Sequence, residues 1–281
     1  MKEPATPALV DGHVHYHGCY RAEAFLSGAA TNISRAAKEL GLASNLPGFL
    51  LFCEAGEDDY FRHFRDRTLS AGDWQLQATA ERCSVVARNS DGACLFLVAG
   101  RQVVTEEHLE VLALCTAARM ADGKPLGKAI EAILDGDGAA VIPWGFGKWW
   151  GRRGAVVAEL LESPVHDRIF LGDNGGRPRL GPRPRLFDVA RSRQVPILPG
   201  SDPLPFPWQQ CNAGRRGFVA QVTLDEARPA ASIRGFLRRL RQQPLVYGKL
   251  ETLPRFCRNQ LAMLLRRKPM PADQPIEGGR C

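Results

Sequence analysis

Ala8-Leu9-Val10-Asp11-Gly12-His13-Val14-His15 is the stretch that decides the fold reading, because an apolar run closes on two imidazoles one residue apart. Side chains on a strand alternate with period two, so His13 and His15 point to one side and can grip a single metal ion from the strand end. The competing reading makes His13, His15 and His17 three polar residues on the wetted face of an edge strand.

Working outward, β-prone runs alternate with helical periodicity almost to the end of the chain. Strands are predicted over 8–17, 49–53, 75–79, 84–87, 93–98, 139–143, 168–173 and 195–199. Helices are predicted over 22–40, 58–67, 126–134, 156–161, 185–192, 231–241 and 253–268. This rhythm predicts an α/β protein with a parallel sheet wrapped by helices, a TIM-like barrel of seven or eight strands, distorted or regular. An open doubly wound sheet is the main competitor. Barrel sites form at the carboxyl ends of the strands. Polar or glycine-rich tails occur there at 12–15, 53–56, 143–148, 172–176 and 200–203, and the Pro- and Arg-rich stretch 177–185 reads as a loop over the mouth.

With 281 residues and 44% hydrophobic content, residues 1–268 suit one domain and 269–281 a disordered tail. No apolar run reaches the ~18 residues of a membrane span, and the first residues carry an acid and a proline where a secretory signal needs an apolar core; a cytoplasmic protein is expected. The eight cysteines form no Cys-x-x-Cys pair, which excludes zinc-ribbon and thioredoxin-like readings and predicts reduced thiols. The net charge of +7 favours an anionic small-molecule partner. The arginines are scattered and match no nucleic-acid reader motif, so nucleic acid is not expected as a partner. The basic, apolar stretch 253–268 suits peripheral membrane contact or closure of the barrel floor.

The last apolar strand, Val195-Pro196-Ile197-Leu198-Pro199, runs into Gly200-Ser201-Asp202. A His-x-His after the first strand and a Gly-Ser-Asp after the last resemble the metal-dependent hydrolases of the amidohydrolase and PHP (polymerase and histidinol phosphatase) type. The order of Gly100-Arg101-Gln102-Val103-Val104, then His108 to Leu114, then 124–140 is similar to the PHP version, and the resemblance spans roughly 8–217. It implies His13 and His15 as neutral imidazole ligands and Asp202 as a carboxylate ligand or the general base. Glu54, His108 and Asp173 are supplementary ligands in the same reading. Such a donor set suits one or two zinc, manganese or iron ions, with a metal-activated water as nucleophile. The chain departs from the pattern at Gln102, where the family has a glutamate, at Pro143-Trp144-Gly145 in place of His-Pro, and at Leu204 in place of a second histidine.

Trp144-Gly145-Phe146-Gly147-Lys148-Trp149-Trp150-Gly151-Arg152 reads as a substrate loop, with Trp144 lining a pocket and Lys148 or Arg152 meeting phosphate or carboxylate. Asn174 and Arg177 are a second binding group. Tight-turn chemistry, with aromatics stacked on arginines, is the competing account of both. His63 and His166 read as solvated. The function expected is hydrolysis of a phosphate ester; hydrolysis of a C–N or lactone bond, or an inactive barrel serving as a scaffold, are the alternatives.

Overall fold

The computed structural model describes residues 5–43, 45–163 and 168–266. The first half of the chain forms β1 (Thr6–Val14), α1 (Ala22–Glu39), β2 (Gly48–Phe52), β3 (Glu54–Ala55), α2 (Tyr60–Arg65), β4 (Gln75–Ala78), β5 (Ser84–Arg88), β6 (Cys94–Val98), β7 (Gly100–Val104) and β8 (Glu110–Leu114). Next come α3 (Leu126–Asp135), β9 (Ala139–Pro143), α4 (Arg152–Glu162), β10 (Ile169–Asn174), α5 (Arg185–Ser192) and β11 (Ile197–Gly200). The chain closes with β12 (Gly217–Val222), α6 (Pro229–Arg239), β13 (Val246–Tyr247) and α7 (Leu253–Arg266).

β1 is buried from Ala8 to Val14, and a strand wrapped on both faces belongs inside a sheet rather than at its edge. It pairs parallel with β2 and antiparallel with β12 in a seven-stranded sheet of order β13-β12-β1-β2-β6-β5-β4. The second sheet has six strands in the order β11-β10-β9-β8-β7-β3. The molecule is therefore a mixed α/β protein with two sheets and, among the described residues, seven α-helices. The strands pair in two hydrogen-bonded sheets, and the βα rhythm expected from the sequence breaks three times. β4, β5 and β6 form an antiparallel meander, β8 runs antiparallel to both β7 and β9, and β12 returns antiparallel to β1 with β13 antiparallel to β12 at the sheet edge.

Alternation along each strand divides the core. Phe49 and Leu51 of β2 face the second sheet and pack in one group with Val141, Phe170 and Leu198, whereas Leu50 and Phe52 face the helical side with Phe25 and Leu26 of α1. In α1 the buried Phe25, Ala29, Ile33 and Ala36 recur at helical spacing, giving the stripe that seats it. Ala140 and Ile142 of β9 turn outward onto α3, α4 and α5.

The sheets meet at two junctions. β2 and β3 are separated by Cys53 alone, so one extended segment passes from the first sheet into the second. At the other junction the tip of β1 lies against β11: the Asp202 amide donates to the His13 carbonyl at 2.8 Å. That approach requires glycine on both sides. A Cβ on Gly12 would stand 2.9 Å from the Pro199 carbonyl oxygen, and one on Gly200 would stand 2.3 Å from the His13 amide nitrogen.

The seven described cysteines are free. No described helix is long and apolar enough to cross a membrane. The expectations for His166, for the last residues of the 253–268 helix and for the 269–281 tail fall outside the described residues.

Candidate metal centre

β1 stops at Val14, so His13 is on the strand and His15 just beyond it, yet the two rings still turn to the same side. Their Nε2 atoms lie 3.0 Å apart, and Asp202 Oδ1 lies 3.7 Å from each. Those 3.7 Å are too long for hydrogen bonds. Among the described residues, His13, His15 and Asp202 are the group that brings three metal-ligating atoms within 4.8 Å of one another, and they could hold a metal ion. Asp202 takes this position with φ +50°, a left-handed conformation that Asp tolerates better than most residues and that functional sites retain.

The electrostatics suit the donor set. Burial, reinforced by the neighbouring His13, pushes His15 down to about 4 and holds it neutral. Burial likewise lowers His13. Burial acts to raise the Asp202 carboxyl, but His13, His15, Lys148 and His17 together hold it below the usual carboxylate range. Two neutral imidazoles and an ionised carboxylate that accepts no hydrogen bond among the described residues are the protonation states a divalent ion needs.

Asp11 builds the support beneath. Fully buried, it accepts from the backbone amides of Ser201 (2.8 Å), Gly214 (2.7 Å) and His13 (3.2 Å) and from the Ser201 hydroxyl (2.5 Å). Burial pushes its carboxyl up to about 7 against those bonds. It pins β1 to the segment carrying Asp202. His17 donates from Nε2 to the Pro203 carbonyl at 2.9 Å, and the Tyr20 hydroxyl donates to the Leu204 carbonyl, fixing the far side of the same turn.

The structure places the other predicted residues separately. Lys148 pairs with Glu110, and its charge is felt by His13, His15 and Asp202, so it borders the centre. Glu110, whose field reaches His15, is a neighbour that sequence reasoning did not single out. Glu54 is turned away: it accepts the Phe61 amide at 2.7 Å at the start of α2 and stands 3.9 Å from Arg101. His108 is exposed in the turn between β7 and β8, with φ +58°. Asp173 is held by Arg177 (2.7 and 3.1 Å) and Arg216 (2.6 Å). Asn174 donates to the Trp144 carbonyl at 2.7 Å, which ties the tip of β10 to the loop after β9, and Arg152 is exposed at the first residue of α4. His63 meets the Thr68 hydroxyl at 2.7 Å on the surface, as a solvated residue would.

No family model and no curated sequence matches this chain. In fold it is similar to PsfC from Pseudomonas syringae PB-5123, with a TM-score of 0.52 and 13% identity over 93% of this chain and 98% of that one. Weaker similarity links it to the lesion-specific endonuclease PfuEndoQ from Pyrococcus furiosus (TM-score 0.45, 13% identity) and to Endonuclease Q in complex with a 27-mer duplex bearing an abasic lesion (TM-score 0.43, 12% identity). The match covers 83% of this chain and 56% and 57% of those endonucleases, so the chain spans little more than half their length. Identities this low speak to the fold alone. One finding stands against the expectation that nucleic acid is not a partner: Endonuclease Q, among the neighbours, is solved on a 27-mer duplex.

Proposed function

We propose that this protein is a metal-dependent hydrolase of phosphate esters, built on a distorted barrel of the PHP type whose ring is split at the two sheet junctions. The observation that carries the reading is the convergence of His13, His15 and Asp202, far apart in sequence, at the tips of two strands. A divalent zinc, manganese or iron ion held by these three would leave coordination positions open and lower the pKa of a bound water toward neutrality. Asp202 is the base that accepts a proton from the attacking water. Lys148, now paired with Glu110, offers its cation to the substrate anion, and Asp11 keeps the two histidines and Asp202 in register. The arginine surplus and the endonuclease neighbours favour a phosphoester, including one within a nucleic acid, over an amide or lactone.

The test is elemental analysis of protein purified without a histidine-rich tag, beside the His13→Ala/His15→Ala variant. Both then meet a panel of phosphomonoesters, phosphodiesters, single- and double-stranded DNA, amides and lactones. About one transition metal per chain, lost in the variant, with phosphoester cleavage alone, supports the proposal. Turnover of amides or lactones alone moves the reading to an amidohydrolase. Absence of metal in both proteins after reconstitution overturns the hydrolase and leaves a binding or scaffold protein.

A further inference from the structure

The loop after β9 has two sides. Lys148 is directed to Glu110 and the ligand cluster, whereas Trp144, Phe146, Trp149 and Trp150 line a cavity of about 350 Å³ whose other wall is the segment 177–186. That volume lies at the low end of small-molecule sites, which run ~300–1,000 Å³. Its mouth carries aromatic surface left to solvent: Trp150 is 67% and Phe146 53% exposed, meeting edge to face with centroids 5.3 Å apart. Exposed apolar surface gathered at a concavity marks a binding site.

One polar feature bears on the missing partner. Of the arginines in the lining, Arg177 is taken up by Asp173 and Arg183 stands 3.6 Å from Asp188, while Arg185 has no partner among the described residues. The occupant should therefore present a flat π-face with negative charge nearby. β9, β10 and β11 are adjacent and parallel, so the tips of β9 and β10 lie within two strand spacings, about 10 Å, of the segment bearing Asp202.

We infer that this cavity is the subsite for a heteroaromatic ring belonging to a phosphoester, the ring stacking on Trp150 and Phe146 while the phosphate lies toward His13, His15 and Asp202. The placement of the phosphate rests on the function proposed above; the ring site does not. A free nucleotide and one nucleotide unit of a single strand share this chemistry.

The experiment is isothermal titration calorimetry of wild type, His13→Ala/His15→Ala and Trp150→Ala with dTMP, ribose 5-phosphate and a dT hexamer. Stacking on one aromatic side chain is worth roughly tenfold or more in affinity. The expected result is dTMP binding at least tenfold tighter than ribose 5-phosphate, in wild type and in the histidine variant alike, with Trp150→Ala erasing the difference. Trp150 is largely exposed, so its loss opens no core, and Phe146→Ala provides a second reading at the mouth. A hexamer that outbinds dTMP and is sensitive to Trp150→Ala assigns the ring to a nucleic-acid strand; equal affinity assigns it to free nucleotides. Equal affinity for dTMP and ribose 5-phosphate, or indifference to Trp150→Ala and Phe146→Ala, overturns the inference. Ring preference in a protein that holds no metal would sink the hydrolase and leave the subsite standing; phosphoester cleavage without ring preference would do the reverse.

Discussion

Asp173 on β10 and Asp202 just beyond β11 stand at neighbouring strand tips, and their surroundings differ completely. Asp173 is closed off: Arg177 grips it with two bonds and Arg216 with a third, all three side chains largely buried. Asp202 is open, facing two imidazoles at 3.7 Å and accepting no hydrogen bond among the described residues. A carboxylate whose lone pairs are filled by guanidinium has no capacity left for a ligand, whereas one beside neutral nitrogens is incomplete without a cation. Sequence cannot separate the two, since each reads as an acid in a glycine-rich strand tail.

The largest expected effect breaks the open side. His13→Ala/His15→Ala should take bound transition metal from about one per chain to none and lower phosphoester hydrolysis by about 10³-fold or more, checked by elemental analysis and steady-state rates. Asp202→Asn keeps the shape and removes the charge; hydrolysis should fall by roughly 10²-fold or more, the weight of a general base, with weaker metal retention by competitive chelation. Arg216→Ala probes the closed side. It should destabilise the fold by about 3 kcal/mol in denaturant titration, because Asp173 loses a buried partner, and should leave metal stoichiometry unchanged. Loss of metal from that variant would erase the distinction between the two acids.

The smallest effect belongs to Glu54. Burial, with the charges of Asp59 and Asp58, pushes its carboxyl from an ordinary 4.5 up to about 7, against the Phe61 amide and Arg101. Folded protein therefore keeps a proton on Glu54 between about 4.5 and 7 where the unfolded chain has lost it, so this contribution to stability fades as pH rises through that window. Glu54→Gln should remove the dependence. Between pH 5 and pH 8 its stability should decline by about 1–2 kcal/mol less than that of wild type, measured by calorimetric unfolding at both pH values.

The centre was legible where the chain obeys parallel-strand logic. His13-Val14-His15 and Gly200-Ser201-Asp202 each follow an apolar strand, and their side chains do converge. Glu110 was missed because β8 is antiparallel, which brings the first residue of that strand, not the last, to the end where the centre lies. The same reversal left His108 in a turn. β12 was missed for a related reason: it pairs antiparallel with β1 and follows no crossover helix, so βα rhythm gives no cue to it. The alternating Phe218-Val219-Ala220-Gln221-Val222 carried the signal in period-two form. The fates of Glu54 and Asp173 were illegible in principle, because their partners Phe61, Arg177 and Arg216 are chosen by tertiary packing.

The glycine contact between the tips of β1 and β11 has a consequence for the whole molecule. His13 and His15 extend from one sheet and Asp202 from the other, so any ion they share is a clasp across the joint, and its grip is thermodynamically linked to the docking of the two halves. A ligand that recognises only the docked arrangement adds about 2.7 kcal/mol at a hundred times its Kd. By the same reciprocity, a methyl group at Gly200, wedging the tips apart, would be felt first as a weaker hold on metal. An ion held by these three residues would thus gauge how tightly the two sheets are shut.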